Sequence, residues 1–148
     1  MRKLIPLLFI LTVGSSSVAL GAASRKTSGV AYVSPTHAVG QDSYVSGDIK
    51  DKILGDGAIV YRVKVTPGTE EGTFRIKARK VTIYTAKGSL SGTGEATQTI
   101  AGETVTVSAG SFTLTKGTGD LKGHRLTGEF AGDQKDGVYK FAYTGTYR

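Results

Sequence analysis

The sequence predicts an all-β protein folded as a single antiparallel β-barrel of about eight strands, and three observations support this. Apolar and polar residues alternate along most of the chain after Tyr44, with the period of two that is typical of half-buried strands. Glycine makes up 21 of 148 residues, well above its usual share of about 7%, and Thr, Val and Tyr are frequent. No segment has a convincing helical period. A β-sandwich is the alternative, because short antiparallel strands build both architectures.

The first 23 residues have the three parts of a secretory signal peptide. A basic start is followed by an apolar run from Leu4 to Val13 and then by small residues. A run of about ten apolar residues is too short for a transmembrane helix, which needs roughly 20. We therefore expect a signal peptide over residues 1–23 and a mature barrel domain over residues 24–148. The mature chain should not span a membrane, and it should be secreted, either extracellular or in the cell envelope.

The composition restricts the possible chemistry. Cysteine is absent, which excludes disulfides and thiolate metal sites and points towards a bacterial exported protein. The signal peptide holds two of the 19 basic residues and none of the 12 acidic ones, so the mature domain would carry a net charge of +5. A charge of this size affects solubility and the attraction of polyanions, and it has little bearing on the fold.

The first strands follow from the alternation. His37 is expected in a loop after Pro35. The segment "SGDIKDKILGDG" favours a strand, although Ser46 could also cap a short helix there. In "AIVYRVKV" the inward phase is apolar or aromatic and the outward phase is basic. The inward residues are Ile59, Tyr61, Val63 and Val65.

The next segment, "TFRIKARKVTIYTA", contains a shift of phase. Phe74, Ile76 and Ala78 share one phase, and the apolar residues then move to the phase of Val81 and Ile83. A shift of one residue within a strand predicts a β-bulge. Four more segments alternate for the length of a strand, and they are "GSLSGTGEATQT", "ETVTVSAGSFTLT", "GHRLTGEFAG" and "GVYKFAYTGTYR".

The glycine-rich stretch "LTKGTGDLKGHRLTGEF" raises the question of a phosphate-binding loop. A dinucleotide-binding fingerprint needs a different spacing of glycines and a following helix, and a P-loop needs Gly-Lys-Ser or Gly-Lys-Thr where Gly-His-Arg stands. The sequence instead favours glycines that allow kinks and close backbone approaches in a curved sheet.

The C-terminal quarter resembles a known family. From Gly110 to Arg148 a strand is followed by Gly-Thr-Gly, an apolar residue, a glycine-bearing strand that ends in an aromatic residue, a turn, and a last strand with alternating aromatic residues. This pattern is similar to the closing strands of the allene oxide cyclase and dirigent barrel superfamily, including its small bacterial members. The resemblance implies an eight-stranded antiparallel barrel with a central cavity. The family's catalytic carboxylates are not matched to positions between Ser24 and Gly88, so the resemblance assigns no active site.

Two polar residues fall in the inward phase of apolar segments and are candidate catalytic residues. Asp51 shares the phase of Ile49, and His124 shares the phase of Leu126. If both pointed into the barrel beside Tyr61 and Tyr139, they could act as a general acid and base. The alternatives are that a bulge or turn places Asp51 outside and that His124 is a hydrogen-bonded structural residue. Neither a metal site nor a cofactor is expected.

Two further groups are candidate binding residues. The first is an aromatic set that either lines a cavity for an apolar small molecule or belongs to the core, and it consists of Tyr61, Tyr139, Phe141 and Tyr143. The second is a basic set on the outward face of one hairpin, which could bind an anionic cell-envelope polymer and which consists of Arg62, Lys64, Arg75, Lys77 and Arg79. Nucleic acid is the least favoured polyanion, because no aromatic residues alternate with these charges for base stacking. A solvated basic surface is the alternative.

These observations favour a secreted binding or structural module without enzymatic activity. Its ligand would be an apolar molecule in the barrel or a polyanion on the basic hairpin. A cell-envelope component with a protein partner is another hypothesis. The enzymatic alternative, from the family resemblance, is a cofactor-free cyclase or isomerase that acts on an apolar substrate inside the barrel.

Overall fold

The computed structural model describes residues 23–148, so the expected signal peptide lies outside the described residues apart from its last residue. Eight strands and one short 3-10 helix follow one another along the chain. They are β1 (Arg25–Val39), β2 (Asp42–Asp51), β3 (Gly55–Pro67), β4 (Thr73–Thr85), β5 (Gly88–Ala101), β6 (Thr104–Gly117), the 3-10 helix (Gly119–Leu121), β7 (Leu126–Lys135) and β8 (Val138–Tyr147).

The strands form a closed up-and-down barrel. Each strand pairs antiparallel with the next, and β8 pairs with β1 through a register that sets Arg25 opposite Tyr147 and Val33 opposite Tyr139. Because every strand has a partner on both sides, the sheet has no exposed edge. The prediction of an all-β antiparallel barrel is confirmed, and the sandwich alternative is excluded. No helix within residues 23–148 has the length and apolar character needed to cross a bilayer.

The alternation in β3 and β4 has the predicted effect. Ile59, Tyr61, Val63 and Val65 of β3 all face the interior. Between β4 and β5 the register shifts between Ala78 and Val81, and Lys80 in between has a positive φ of 52°. The predicted bulge is therefore confirmed, and it returns Val81 and Ile83 to the core.

The first strand corrects one expectation. His37 was expected in a loop, but it lies within β1 and pairs with Tyr44 of β2. The register shifts between Pro35 and His37, which identifies a local irregularity of the ladder. Proline has no N–H to donate, and it is tolerated in a sheet at such irregular positions. The strand β1 therefore continues past Pro35 to Val39.

The glycine-rich stretch corrects a second expectation. A strand was expected from Gly123, but β7 begins only at Leu126, and His124 lies in the loop before it. The chain turns back here through the 3-10 helix, and a Cβ atom on Gly117 would lie 1.8 Å from the carbonyl oxygen of Leu121. The glycines thus permit a close backbone approach, as predicted. This close approach allows the chain to reverse its direction tightly, and the reversal places the fully buried Leu121 inside the barrel.

The turn after β2 is the third local finding. The strand interpretation of "SGDIKDKILGDG" is confirmed as far as Asp51, where β2 ends. Residues 52–54 form a turn, so Ile53 lies outside the strand in which its spacing had placed it.

The two ends of the barrel differ. The closed end contains the β2–β3, β4–β5 and β6–β7 connections, and buried side chains fill it. These side chains include Leu54, Leu90, Leu114, Leu121, Leu126 and Tyr147. The open end contains the four other hairpin turns, which join β1 to β2, β3 to β4, β5 to β6, and β7 to β8.

Candidate functional site

The upper half of the barrel, towards the open end, encloses a cavity of about 220 Å³. The cavity exists because small residues occupy inward positions of two neighbouring strands. Ala78 of β4 and Gly94 and Ala96 of β5 all line it. In the closed half, leucines on the same or adjacent strands fill the corresponding space, as Leu90 does on β5. An eight-stranded barrel is just wide enough either to be filled by side chains or to hold one small ligand. In this barrel, side chains fill the closed half, and the half towards the open end has room for a small ligand.

The walls of the cavity are mostly apolar and aromatic. Tyr139 and Phe141 of β8 have nearly parallel rings 5.7 Å apart, and Phe141 contacts Phe130 of β7 in an edge-to-face arrangement. Tyr143 reaches the lower part of the cavity, where Phe112 packs against it. The structure therefore brings together all four aromatic residues of the predicted cavity wall, because Tyr61 also lines the same space.

Three polar side chains form a cluster within this apolar wall. The Nε2 group of Gln98 donates a hydrogen bond of 3.2 Å to the hydroxyl of Tyr139. Burial and the proximity of Tyr139 raise the pKa of Tyr61, and burial raises that of Tyr139. Both phenols are therefore protonated at neutral pH. Within residues 23–148 no side chain or backbone group hydrogen-bonds the Tyr61 hydroxyl.

Charged groups contribute little to the cavity. Among the described residues that line it, Glu95 is the one with a charged side chain. Glu95 is exposed and lies opposite Lys77 of β4, on the outer face of the sheet. The lining therefore offers hydrogen-bonding groups and apolar surface to a ligand, and it offers no cation.

The mouth of the cavity carries exposed apolar residues. Four of the large exposed hydrophobic side chains lie at the open end, one in each of the four hairpins there. They are Val39, Val65, Ile100 and Val138. These four residues are here called the apolar rim, and Val65 is the one among them that also lines the cavity.

Asp51 lies at the closed end, away from this polar cluster. It is buried, and its Oδ1 atom accepts hydrogen bonds from the Thr27 hydroxyl at 2.8 Å and from the backbone N–H groups of Ile53 at 2.7 Å and Leu54 at 2.9 Å. The Tyr143 hydroxyl donates to its Oδ2 atom. Burial and the adjacent carboxylate raise the pKa of Tyr143. With four donors around it, Asp51 fixes the β2–β3 turn to β1 and β8.

His124 also lies at the closed end. Its ring stacks on Tyr147 with a centroid distance of 5.0 Å, and its Nδ1 atom is buried without a hydrogen-bond partner among the described residues. Neither His124 nor Asp51 lines the cavity that contains Tyr61 and Tyr139. The structure therefore does not bring the four candidate acid–base residues together.

The basic hairpin has like charges directly opposite one another. Arg62 of β3 pairs with Arg79 of β4, and Lys64 pairs with Lys77. Such pairs repel each other across a sheet. Arg75, the fifth member of the basic set, lies opposite Thr66 and is exposed on the same outer face.

Neighbouring groups partly compensate these charges. Both carboxylate oxygens of Asp42 lie 3.0 Å from the guanidinium of Arg79. The guanidinium of Arg62 lies 4.9 Å from the ring centre of Tyr44, and His37 stacks on the same ring with a centroid distance of 4.4 Å. Since Glu95 also faces Lys77, the hairpin is a mixed surface with a basic centre.

Sequence reasoning missed two residues that the structure places in polar clusters. Gln98 follows Ala96 in an inward phase, so a polar residue in an apolar phase was a signal that could have identified it. Thr27 had no such signal, because its role depends on a contact with Asp51. Within residues 23–148 no group of three or more acidic or histidine side chains is arranged to hold a metal ion.

Comparison of the chain with protein-family models, with curated proteins and with solved structures gave no significant match.

Proposed function

We propose that this protein is a non-enzymatic binding module that holds one small apolar molecule in its barrel. The observation that carries the proposal is the apolar cavity of about 220 Å³ beside a closed end that buried side chains occupy. An apolar cavity of about 150 Å³ is large enough for benzene, and drug-sized ligands occupy about 300 Å³ or more. A molecule with a single ring or a short acyl chain suits the space in between.

The apolar rim supports this proposal. Its four residues lie in the hairpins of the open end and are 39% to 58% exposed, and Val65 also lines the cavity. Val65 therefore offers apolar surface to a ligand between the solvent and the interior.

Filling the cavity tests the proposal. Ala78→Phe places a ring in the space that Ala78 leaves, and Ala58→Phe on the outer face of β3 is the matched control. Native mass spectrometry of the gently purified protein should show a bound small molecule for the unmodified chain and for the control, and none for Ala78→Phe. If a ligand is retained equally by Ala78→Phe, the cavity is not its site.

A polyanion site on the basic hairpin is the second candidate, and the opposed pairs Arg62–Arg79 and Lys64–Lys77 favour it. A bound polyanion would relieve their repulsion. Arg75→Glu with Lys77→Glu should abolish retention on an anionic polysaccharide column at low salt and leave cavity binding intact. Unchanged retention would exclude the hairpin as the binding surface.

Membership of the allene oxide cyclase and dirigent barrel superfamily is also a proposal, supported by the closed eight-stranded barrel and its cavity. A cyclase or isomerase in this barrel would have the neutral phenols of Tyr61 and Tyr139 as its nearest acids. Asp51→Asn and His124→Gln should then leave turnover of a cavity-bound substrate in place, and loss of turnover with retained folding would reassign those residues as catalytic.

Secretion is proposed from the signal-peptide pattern. N-terminal sequencing of the exported protein should give a start at or near Ser24, and an intact Met1 in the exported protein would exclude cleavage.

A further inference from the structure

The polar cluster of the cavity can define the chemistry of the ligand. Gln98 donates its Nε2–H to the oxygen of Tyr139, so the Tyr139 proton is free to point elsewhere. The Tyr61 hydroxyl has no partner within residues 23–148, and it lies on the cavity wall. The cavity therefore presents two phenolic O–H donors close together on a predominantly apolar wall, in which Ser43 and Gln98 are the other neutral polar residues.

These donors stay protonated across the neutral range. Burial disfavours the phenolate form of both tyrosines, and the proximity of Tyr139 raises the pKa of Tyr61 further. A phenol in this state donates a hydrogen bond and carries no charge. An unmade hydrogen bond in an apolar site is costly, so a ligand with a matching acceptor is favoured over one without it.

The charge of the lining excludes one class of acceptor. An ionised carboxylate that enters an apolar cavity must lose its hydration, and it is tolerated only with a counter-charge. Among the described lining residues Glu95 is the charged one, and its side chain lies on the outer face of the sheet, so the interior supplies no counter-charge to an anion. A neutral acceptor avoids this cost.

We propose that the cavity selects neutral, carbonyl-bearing hydrophobic molecules, such as ketones, aldehydes, esters or lactones, whose carbonyl oxygen accepts hydrogen bonds from Tyr61 and Tyr139. This inference rests on the proposed function, because it names the ligand class of the same cavity. The apolar body lies against Phe130 and Phe141, and the carbonyl is directed towards the two hydroxyls.

Three probes with equal numbers of non-hydrogen atoms test the inference. Acetophenone carries a carbonyl, cumene is its apolar counterpart, and benzoate is its charged counterpart. Dissociation constants are measured by NMR titration of the purified protein, in which shifts at cavity residues also locate the probe. Acetophenone should bind roughly 3- to 10-fold more tightly than cumene, as expected for one net hydrogen bond, and at least about 10-fold more tightly than benzoate.

Matched variants assign the preference to the two hydroxyls. Tyr61→Phe and, separately, Tyr139→Phe should each reduce the ratio of acetophenone to cumene affinity, because each variant removes one of the two donors. Tyr32→Phe is the control, because Tyr32 is 44% exposed on the outer face. It should leave the ratio unchanged.

The possible failures are distinguishable. If the unmodified protein binds acetophenone and cumene equally, or binds benzoate most tightly, the inference is wrong and the proposed apolar cavity function stands. If none of the three probes shifts cavity residues at millimolar concentration, both are wrong. The inference is also wrong if the ratio of acetophenone to cumene affinity is unchanged in both Tyr61→Phe and Tyr139→Phe.

Discussion

The hydrogen bond from Tyr143 to Asp51 provides a test of how the closed end is stabilised. Tyr143→Phe removes one hydroxyl and keeps the ring, which packs edge-to-face on Phe112 at 5.6 Å. Hydrogen bonds to a charged group contribute about 1.5–3 kcal/mol, and here the acceptor is a carboxylate that is only 7% exposed. We expect the free energy of unfolding to fall by that amount. The melting temperature should fall by about 3–6 °C for each kcal/mol in a domain of this size.

The partner substitution is Asp51→Asn. The amide retains the oxygen that accepts from Thr27, Ile53 and Leu54, but it replaces Oδ2 with an NH₂ group and removes the charge. This change should also cost about 1.5–3 kcal/mol. Because both substitutions disrupt the same bond, the double variant should cost at least about 1 kcal/mol less than the sum of the single costs.

Urea denaturation of the two single variants and the double variant measures these values. Tyr32→Phe is the control, since an exposed hydroxyl should change stability by less than about 0.5 kcal/mol. A cost of less than about 0.5 kcal/mol for Tyr143→Phe, or strict additivity in the double variant, would refute the reasoning. It would also return Asp51 to consideration as a catalytic carboxylate, because a catalytic residue can be replaced without loss of stability.

Three further predictions concern pH, backbone strain and the closed end. The raised pKa values of Tyr61 and Tyr143 mean that the unfolded chain loses these phenolic protons first, so the contribution of these two tyrosines to stability should be constant below about pH 10 and should fall above it by up to about 1.4 kcal/mol per pH unit per tyrosine. Urea denaturation between pH 9 and 11.5 checks this, and equal slopes in Tyr61→Phe and the unmodified protein would contradict it. Ala109 has a φ of 49°, so Ala109→Gly should raise the melting temperature, with a gain of about 0.5–1 kcal/mol, whereas the control Ala142→Gly in a regular strand should lower it. Leu121→Ala should cost about 2–5 kcal/mol without weakening a cavity ligand, because Leu121 packs only in the closed half, and a matching loss of ligand affinity would show that the two halves are coupled.

Local patterns were sufficient to predict much of the fold. The alternation in β3 and the phase shift between Ala78 and Val81 are properties of neighbouring residues, and the structure follows both. The strand β1 was missed because Pro35 interrupts its pattern, and the ladder accommodates proline there by a shift of register. Such a shift of register depends on how β1 pairs with β2, and the residue pattern of β1 alone carries no information about that pairing.

The candidate site was less accessible to sequence reasoning. The alternation alone shows that Asp51 is a polar residue in an inward phase, but its partners Thr27 and Tyr143 are 24 and 92 residues away along the chain. Barrel closure brings these distant segments together in space. The sequence alone therefore could not distinguish a structural carboxylate from one that faces the cavity. His124 was assigned to a strand because the reversal before β7 depends on the contact between Gly117 and Leu121.

The pairing of Arg25 with Tyr147 has a practical consequence for engineering. The first and last strands begin and end side by side at the closed end, on the side of the barrel opposite the mouth. A fusion partner or surface tether attached beyond either strand would therefore hold the molecule with its mouth facing the solution. The same adjacency suits circular permutation, in which a short linker joins the two ends and new termini are opened at the exposed β5–β6 turn around Gly102.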